Sequence, residues 1–257
     1  MANYDIIGNI VVVKFKRSDS KYKKNKWARD FLREHKNVTS VLEKTERFKG
    51  RLRVQKTRFL AGANTKESLY RENGCYFRFN VDTCYFSPRL ASERQDIAKK
   101  VKKGEDVLVL FGGVAPFAIV IAKNSKAAMV TSIELSKACS RYAVENVKRN
   151  KLDGKVEIVQ GDVRRKLPPM KKKFDRIIMA RPNLKDSFLD VTFSRIKNKG
   201  IIHYYGFCYE SELENMKSMI ITEAKEVKRK VKLINVKKAG DIGTRRYRYR
   251  IDILILR

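Results

Sequence analysis

Residues 107–135 constrain the fold of this chain more than any other stretch. Val107, Leu108, Val109 and Leu110 make an apolar run of the length of a fully buried strand. Phe111-Gly112-Gly113-Val114-Ala115-Pro116 follows, a turn whose two glycines let the backbone approach a ligand closely. A helix is predicted over 117–123, with Pro116 in its first turn, where a missing N–H costs little. A second strand is predicted over 128–133, ending in Glu134. Strand, glycine turn, helix, strand and acid make the nucleotide-binding half of a doubly wound fold, the acid standing where ribose hydroxyls are held. The usual third glycine is replaced by Ala115, and the turn by itself fits an ordinary tight βαβ connection equally well.

The remaining pattern extends this unit. A helix over 136–150, a strand over 156–160 ended by Gly161-Asp162-Val163-Arg164, and a strand over 174–179 followed by Ala180-Arg181-Pro182-Asn183 continue the alternation. A helix over 186–196, a strand over 200–205, a helix over 211–220 and strands over 226–236 and 247–256 complete it. The expected fold class is α/β: a Rossmann-like, mostly parallel sheet with an antiparallel edge. Upstream, a strand in two parts around Gly8, a helix over 27–34 behind a basic approach, and strands over 39–42 and 48–60 make a small α+β module, with a further strand over 76–81. The two domains are placed at 1–74 and 75–257. Near the start of the second lies Tyr85-Phe86-Ser87-Pro88-Arg89-Leu90-Ala91-Ser92-Glu93-Arg94, helical from about residue 89, which puts Arg89 and Glu93 four apart on one face. Spacing alone makes that pair an ordinary surface salt bridge.

Charge narrows the partner. The 257 residues carry 59 Lys+Arg against 28 Asp+Glu, a net charge of +31. Such an excess destabilises a compact chain by self-repulsion and fits a polyanionic partner, because phosphate contacts supply most sequence-independent nucleic-acid affinity. The first 80 residues hold 20 Lys+Arg and 8 Asp+Glu, Arg53 among them. The cluster Arg245-Arg246-Tyr247-Arg248-Tyr249-Arg250 fits an alternating strand with one charged face as well as a surface that contacts phosphates and stacks bases. No apolar run reaches the ~20 residues of a membrane span, and the start of the chain has no signal-peptide pattern. Cys75, Cys84, Cys139 and Cys208 are isolated, with only His35 and His203 beside them, which is poor material for a metal or a disulfide framework. A reducing, cytoplasmic setting is expected.

The motif order resembles the class I S-adenosylmethionine-dependent methyltransferases. The Tyr85–Arg94 segment, the Phe-Gly-Gly-Val-Ala-Pro-Phe turn, Gly161-Asp162-Val163-Arg164 and Ile201-Ile202-His203-Tyr204-Tyr205 together resemble the archaeal and eukaryotic tRNA (guanine-37-N1)-methyltransferases. The resemblance implies S-adenosylmethionine as cofactor, bound by Phe111, Gly112, Gly113, Val114, Pro116, Phe117, Glu134, Leu135, Asp162 and Val163. It implies methylation of guanosine 37 in the anticodon loop of tRNA by a monomer. Glu93 would then be the general base at N1, Arg89 would neutralise charge developing on O6, and Tyr85 would hold the base extruded from its stack. Arg53, Arg181 and Pro182 would touch the substrate. The family's Asn-Leu-Pro type loop is Ala180-Arg181-Pro182 here, and members that vary there include enzymes acting on the tricyclic wyosine precursor; Ala115 and Ala180 also leave open a non-catalytic RNA-binding protein with a degenerate pocket. The family's separate N-terminal domain, which grips the outer corner of tRNA, is expected to be absent.

Overall fold

The computed structural model describes residues 3–46, 50 and 54–256. The basic module opens with an antiparallel pair, β1 (Asn3–Ile7) and β2 (Ile10–Lys14), turned at Gly8. Gly8 has φ +61°, and a Cβ there would lie 2.0 Å from the Leu69 carbonyl oxygen, so only glycine fits. Helix α1 (Lys21–Glu34) begins earlier than its apolar face suggested, because Ser20 caps it by accepting from the Lys23 N–H at 3.3 Å. It crosses to β3 (Ser40–Lys44), parallel to β2, and β4 (Thr57–Gly62) closes the four-stranded sheet. Ala28 and Phe31 of α1 pack on Val11, Val13 and Val41. The strand expected over 48–60 is seen only in its second part, and Phe48, Arg51 and Arg53 lie outside the described residues.

A hairpin, β5 (Glu67–Glu72) and β6 (Cys75–Asn80), joins this module to the rest of the chain, with residue 74 in its turn. A 3₁₀ turn (Pro88–Leu90) and α2 (Ala91–Lys100) follow. The large sheet then alternates with helices: β7 (Asp106–Leu110), α3 (Pro116–Asn124), β8 (Met129–Glu134), α4 (Lys137–Arg149), β9 (Val156–Gln160), α5 (Val163–Lys166) and β10 (Phe174–Met179). After β10 come α6 (Leu189–Phe193), β11 (Ile196–Tyr209), α7 (Leu213–Glu226), β12 (Val231–Gly243) and β13 (Arg246–Ile255). Its seven strands run in the order β9-β8-β7-β10-β11-β13-β12, all parallel except β13. This is the expected mostly parallel sheet with an antiparallel edge.

Both faces of β7 are buried. Val107 and Val109 pack in a core that also takes in Ile119 of α3, Ala143 of α4 and Ile10 of β2, while Leu108 and Leu110 face Val163 of α5 and Phe193 of α6. The hairpin docks on α4 through two buried asparagines one turn apart. Asn146 accepts from the Arg78 N–H at 2.7 Å and donates to its carbonyl at 3.1 Å; Asn150 does the same to Tyr76 at 2.8 and 2.6 Å.

The helix expected over 186–196 is a single turn. Asp186 and Ser187 turn their side chains onto the N–H groups of Phe188 and Leu189, a local alternative to a helix start. Phe188 sits at φ +61°, and residue 196 already begins β11. Helix α7 runs on through Glu226, where a strand was expected.

Candidate functional site

The strand order reverses beside β7, between β8 and β10, and a cavity of about 370 Å³ opens at the carboxyl ends of these strands. That is where an open α/β sheet holds its ligand. The turn after β7 forms its floor. Phe111, Gly113 and Ala115 have φ of 61°, 58° and 66°. A Cβ on Gly112 would meet Ser132 Oγ at 2.0 Å, so a side chain there would have to turn that hydroxyl aside. Ala115 therefore takes the left-handed position where a glycine was expected, immediately before Pro116 starts α3.

Glu134 ends β8 against this turn. One carboxylate oxygen accepts from the Gly113 N–H at 2.8 Å and the other from the Ser136 N–H at 2.7 Å. Burial pushes the carboxyl above its ordinary range, against the pull of those amide groups. Asp162 caps α5, accepting from the Arg164 N–H at 2.9 Å, and lines the cavity with Val163 and Leu135. The Arg164 guanidinium binds Asp186 and Asp190 and lies 5.0 Å from the Phe188 ring, which meets Phe111 edge-on. A glycine floor without side chains, an acid held only by backbone donors and an apolar slot beside Asp162 suit a methionine tail, a ribose and an adenine in turn. The residues fit S-adenosylmethionine, and of the expected cofactor positions all but Val114 line the cavity.

The opposite wall is built by the Tyr85–Arg94 segment. Tyr85, Phe86, Ser87, Leu90 and Arg94 line the cavity. Arg89 and Glu93 do not form the expected pair. Pro88 starts a 3₁₀ turn that carries Arg89 outward to Asp5 of β1 at 2.8 Å, whereas Glu93 points inward from α2 and is 3% exposed. Glu93 accepts from the Tyr205 hydroxyl at 3.1 Å and from Arg250 at 2.7 Å, with Lys237 Nζ 2.5 Å away. Its carboxylate is thus one hydroxyl behind the cavity wall, since Tyr205 lines that wall. Arg94, not singled out in the sequence, is buried in a paired fork with Glu72 and donates to the Ser87 carbonyl at 3.0 Å.

Arg250 anchors a chain of buried charge that the sequence did not announce. It binds Asp96 at 2.6 Å, and its Nε is 3.0 Å from Asp252. Asp252 lies 2.6 Å from His203 Nδ1, whose Nε2 is 2.7 Å from Arg176. Arginine can only donate, so Nε2 accepts and the ring is neutral with its proton on Nδ1. Burial and the two neighbouring arginines hold the imidazole below its usual range despite Asp252. Arg176 in turn pairs with Glu105 at 2.7 Å. Burial and Glu93 push the Tyr205 phenol far up, so it stays a donor.

At the mouth, Ala180, Arg181, Pro182 and Asn183 follow β10. Arg181 folds inward, donating to the Tyr204 hydroxyl at 3.0 Å and to the carbonyls of Leu184 and Asp186, so its guanidinium pins the loop. Arg53 lies outside the described residues. Among those described, no cluster of side chains could hold a metal and no helix is long and apolar enough to cross a membrane.

Residues 68–234 match the TRM5/TYW2 methyltransferase domain, and residues 1–65 match the TYW2 N-terminal domain, which overlies the basic module. The tRNA (guanine(37)-N(1))-methyltransferase Trm5b of Pyrococcus abyssi is 34% identical, over 98% of this chain and 74% of its own length. Its crystal structure superposes with a TM-score of 0.88 at 33% identity, again over 98% of this chain and 74% of that one. The tRNA (guanine(37)-N(1))/4-demethylwyosine(37)-methyltransferase Taw22 of Nanoarchaeum equitans is 32% identical, over 99% of this chain and all of its own. The structure of Methanocaldococcus jannaschii TYW2 in complex with AdoMet has a TM-score of 0.76 at 25% identity, covering 98% of this chain and 99% of that one.

Proposed function

The chain belongs to the S-adenosylmethionine-dependent TRM5/TYW2 methyltransferase family, and from that premise we propose that it methylates N1 of guanosine 37 in tRNA. The observation that carries this reading is the single cavity shared by the Gly112–Glu134 end and the Tyr85–Arg94 wall. Similarity to Trm5b over nearly the whole chain supports it.

When bound, S-adenosylmethionine supplies an electrophilic methyl group on a sulfonium sulfur; Gly112, Gly113, Glu134 and Asp162 are the residues to hold it. Guanine N1 carries a proton at neutral pH, so transfer needs a base. Glu93 takes that proton by way of Tyr205: the hydroxyl gives its proton to Glu93 and accepts the one from N1. Lys237 and Arg250 keep Glu93 oriented for this step. Arg89 stands between the cavity-lining Ser87 and Leu90. It reaches O6 by giving up Asp5, an exposed ion pair worth at most ~1 kcal/mol. Tyr85 stacks on the extruded base, and Arg181, with Pro182 beside it, holds the loop under it.

A second reading, methylation of the tricyclic wyosine precursor, is favoured by Ala180, a small residue on the cavity wall, and by the similarity to Taw22. The test is transfer from S-adenosylmethionine labelled either in the methyl or in the aminocarboxypropyl group. The acceptors are transcripts with G or A at position 37 and tRNA carrying the precursor. Methyl label as 1-methylguanosine in the G transcript alone is the expected result. Label only in the precursor tRNA selects the second reading if it is methyl, and an aminocarboxypropyl transferase if it is not. Glu93→Gln should bind cofactor normally and lose ~10²–10⁴-fold in turnover; unchanged turnover removes Glu93 from the base role.

A further inference from the structure

The outer end of β13 carries a second set of groups around the same cavity, and their role is not given by the chemistry of methyl transfer. Directly opposed residues of β11 and β13 share a face of the sheet, and the register pairs Tyr205 with Arg250, Phe207 with Arg248 and Tyr209 with Arg246. The result is a ladder of three aromatic–arginine rungs. The charges of the inner rung are matched within the protein: Arg250 binds Glu93 and Asp96, and Tyr205 binds Glu93. The outer two rungs are open. The Arg248 guanidinium lies 5.1 Å from the Phe207 ring and that of Arg246 5.6 Å from the Tyr209 ring, and both arginines line the cavity. Among the described residues neither has a hydrogen-bond or ion-pair acceptor, and Arg246 Nε is buried without a partner.

We propose that Arg246 and Arg248 bind the phosphodiester groups flanking the nucleotide that enters the cavity. Stacking on an aromatic face holds each guanidinium plane while leaving its N–H edges turned to an anion, the geometry in which arginine takes phosphate through paired bonds. Two such edges, ~7 Å apart on alternate residues of one strand, suit a chain of anions better than one carboxylate. The ladder also runs outward to a hairpin end exposed over residues 243–245, as a strand of RNA must. A cation left without a carboxylate beside a cavity is explained when the ligand brings the charge. The inference rests on the proposed substrate being tRNA.

The experiment measures equilibrium binding of the full chain to an unmodified tRNA transcript across a series of KCl concentrations. Every phosphate that the protein no longer neutralises lowers the slope of log K against log[salt] by ~0.7 for single-stranded RNA. Arg246→Gln/Arg248→Gln should flatten it by ~1.4, while Lys102→Gln/Lys103→Gln, equal in charge and placed before β7 at the far end of the sheet, should leave it as in the wild type. Arg246→Lys/Arg248→Lys, which also serves should the glutamine pair not fold, should keep the slope and bind more weakly than wild type. A wild-type slope in the glutamine pair, or an equal flattening in the control pair, overturns the proposal. Loss of cofactor binding with an unchanged slope also overturns it and gives the guanidiniums to the cofactor carboxylate. A wild type that binds the transcript with this slope but transfers no group refutes the proposed reaction and leaves the phosphate assignment standing.

Discussion

The two halves of the large sheet hold the cavity between them by opposite means. On the β7–β8 side, Val107, Leu108, Val109 and Leu110 are fully buried, and residues 117–122 of α3 are buried in unbroken succession. On the β10–β13 side one face is also apolar, with Ile202, Ile251, Ile253 and Ile255 buried, but the other buries Arg176, His203, Arg250 and Asp252, joined to Glu93 of α2. Hydrophobic burial is non-directional and tolerates small shifts, whereas a buried charge is costly unless its partners stand within hydrogen-bond reach. The aliphatic half provides a firm floor for the cofactor. The charged half fixes one carboxylate, that of Glu93, and one hydroxyl, that of Tyr205, at the cavity wall.

The sharpest way to break this contrast is Arg250→Met. It strips a cation from Glu93, Asp96 and Asp252 at once and should cost ~3–5 kcal/mol, read as a lower urea midpoint; a loss no larger than a surface change would mean that the network is not structural. Leu108→Ala, in the other half, should cost ~2–5 kcal/mol through cavity formation, with the same deficit at every pH from 5 to 8. A pH-dependent deficit would show that the two halves are coupled.

Glu134 ends β8 at the cavity. Its carboxyl titrates above the usual range, so cofactor affinity should be constant near neutrality and fall as the pH drops, with a midpoint above the ordinary ~4.3. Glu134→Gln should lose the dependence together with ~1.5–3 kcal/mol of binding, checked by calorimetric titration. The smallest effect belongs to His203. Its native pKa is depressed, so below the unfolded value of ~6.5 the unfolded chain binds a proton that the native state refuses. Stability should be whole above that pH and decline below it by up to ~1.4 kcal/mol per unit until the native ring titrates. His203→Gln should remove the decline, and an unchanged acid limb would locate the pH dependence elsewhere.

The aliphatic half was legible because its signal is local. The strands over 156–160 and 174–179 have the expected bounds, and Glu134 and Asp162 meet at one cavity. The charged half was not, because strand alternation distinguishes apolar from charged positions but not a solvated face from a covered one. Nothing in the alternation marks Arg176, Arg250 and Asp252 as covered, and their partners Glu105, Glu93, Asp96 and His203 come from other elements of the chain. The Arg89–Glu93 pairing failed for a related reason: helical spacing cannot foresee a 3₁₀ turn, nor an Asp5 that is 84 residues away in sequence and 2.8 Å away in space. The partner of Lys237 was likewise hidden, since its strand was expected to end a residue before it.

The asparagines of α4 also govern the order in which the protein can be completed. The edge of β6 that Asn146 and Asn150 cover belongs to residues made some 70 positions earlier, at Tyr76 and Arg78, with separations of 74 and 68. On a ribosome the hairpin emerges first and waits with open N–H and C=O groups until α4 has followed. An uncovered edge is a template for pairing with another chain. Synthesis between residues 80 and 150 is therefore an interval in which this edge stands open to misassembly, and a pause there would lengthen it.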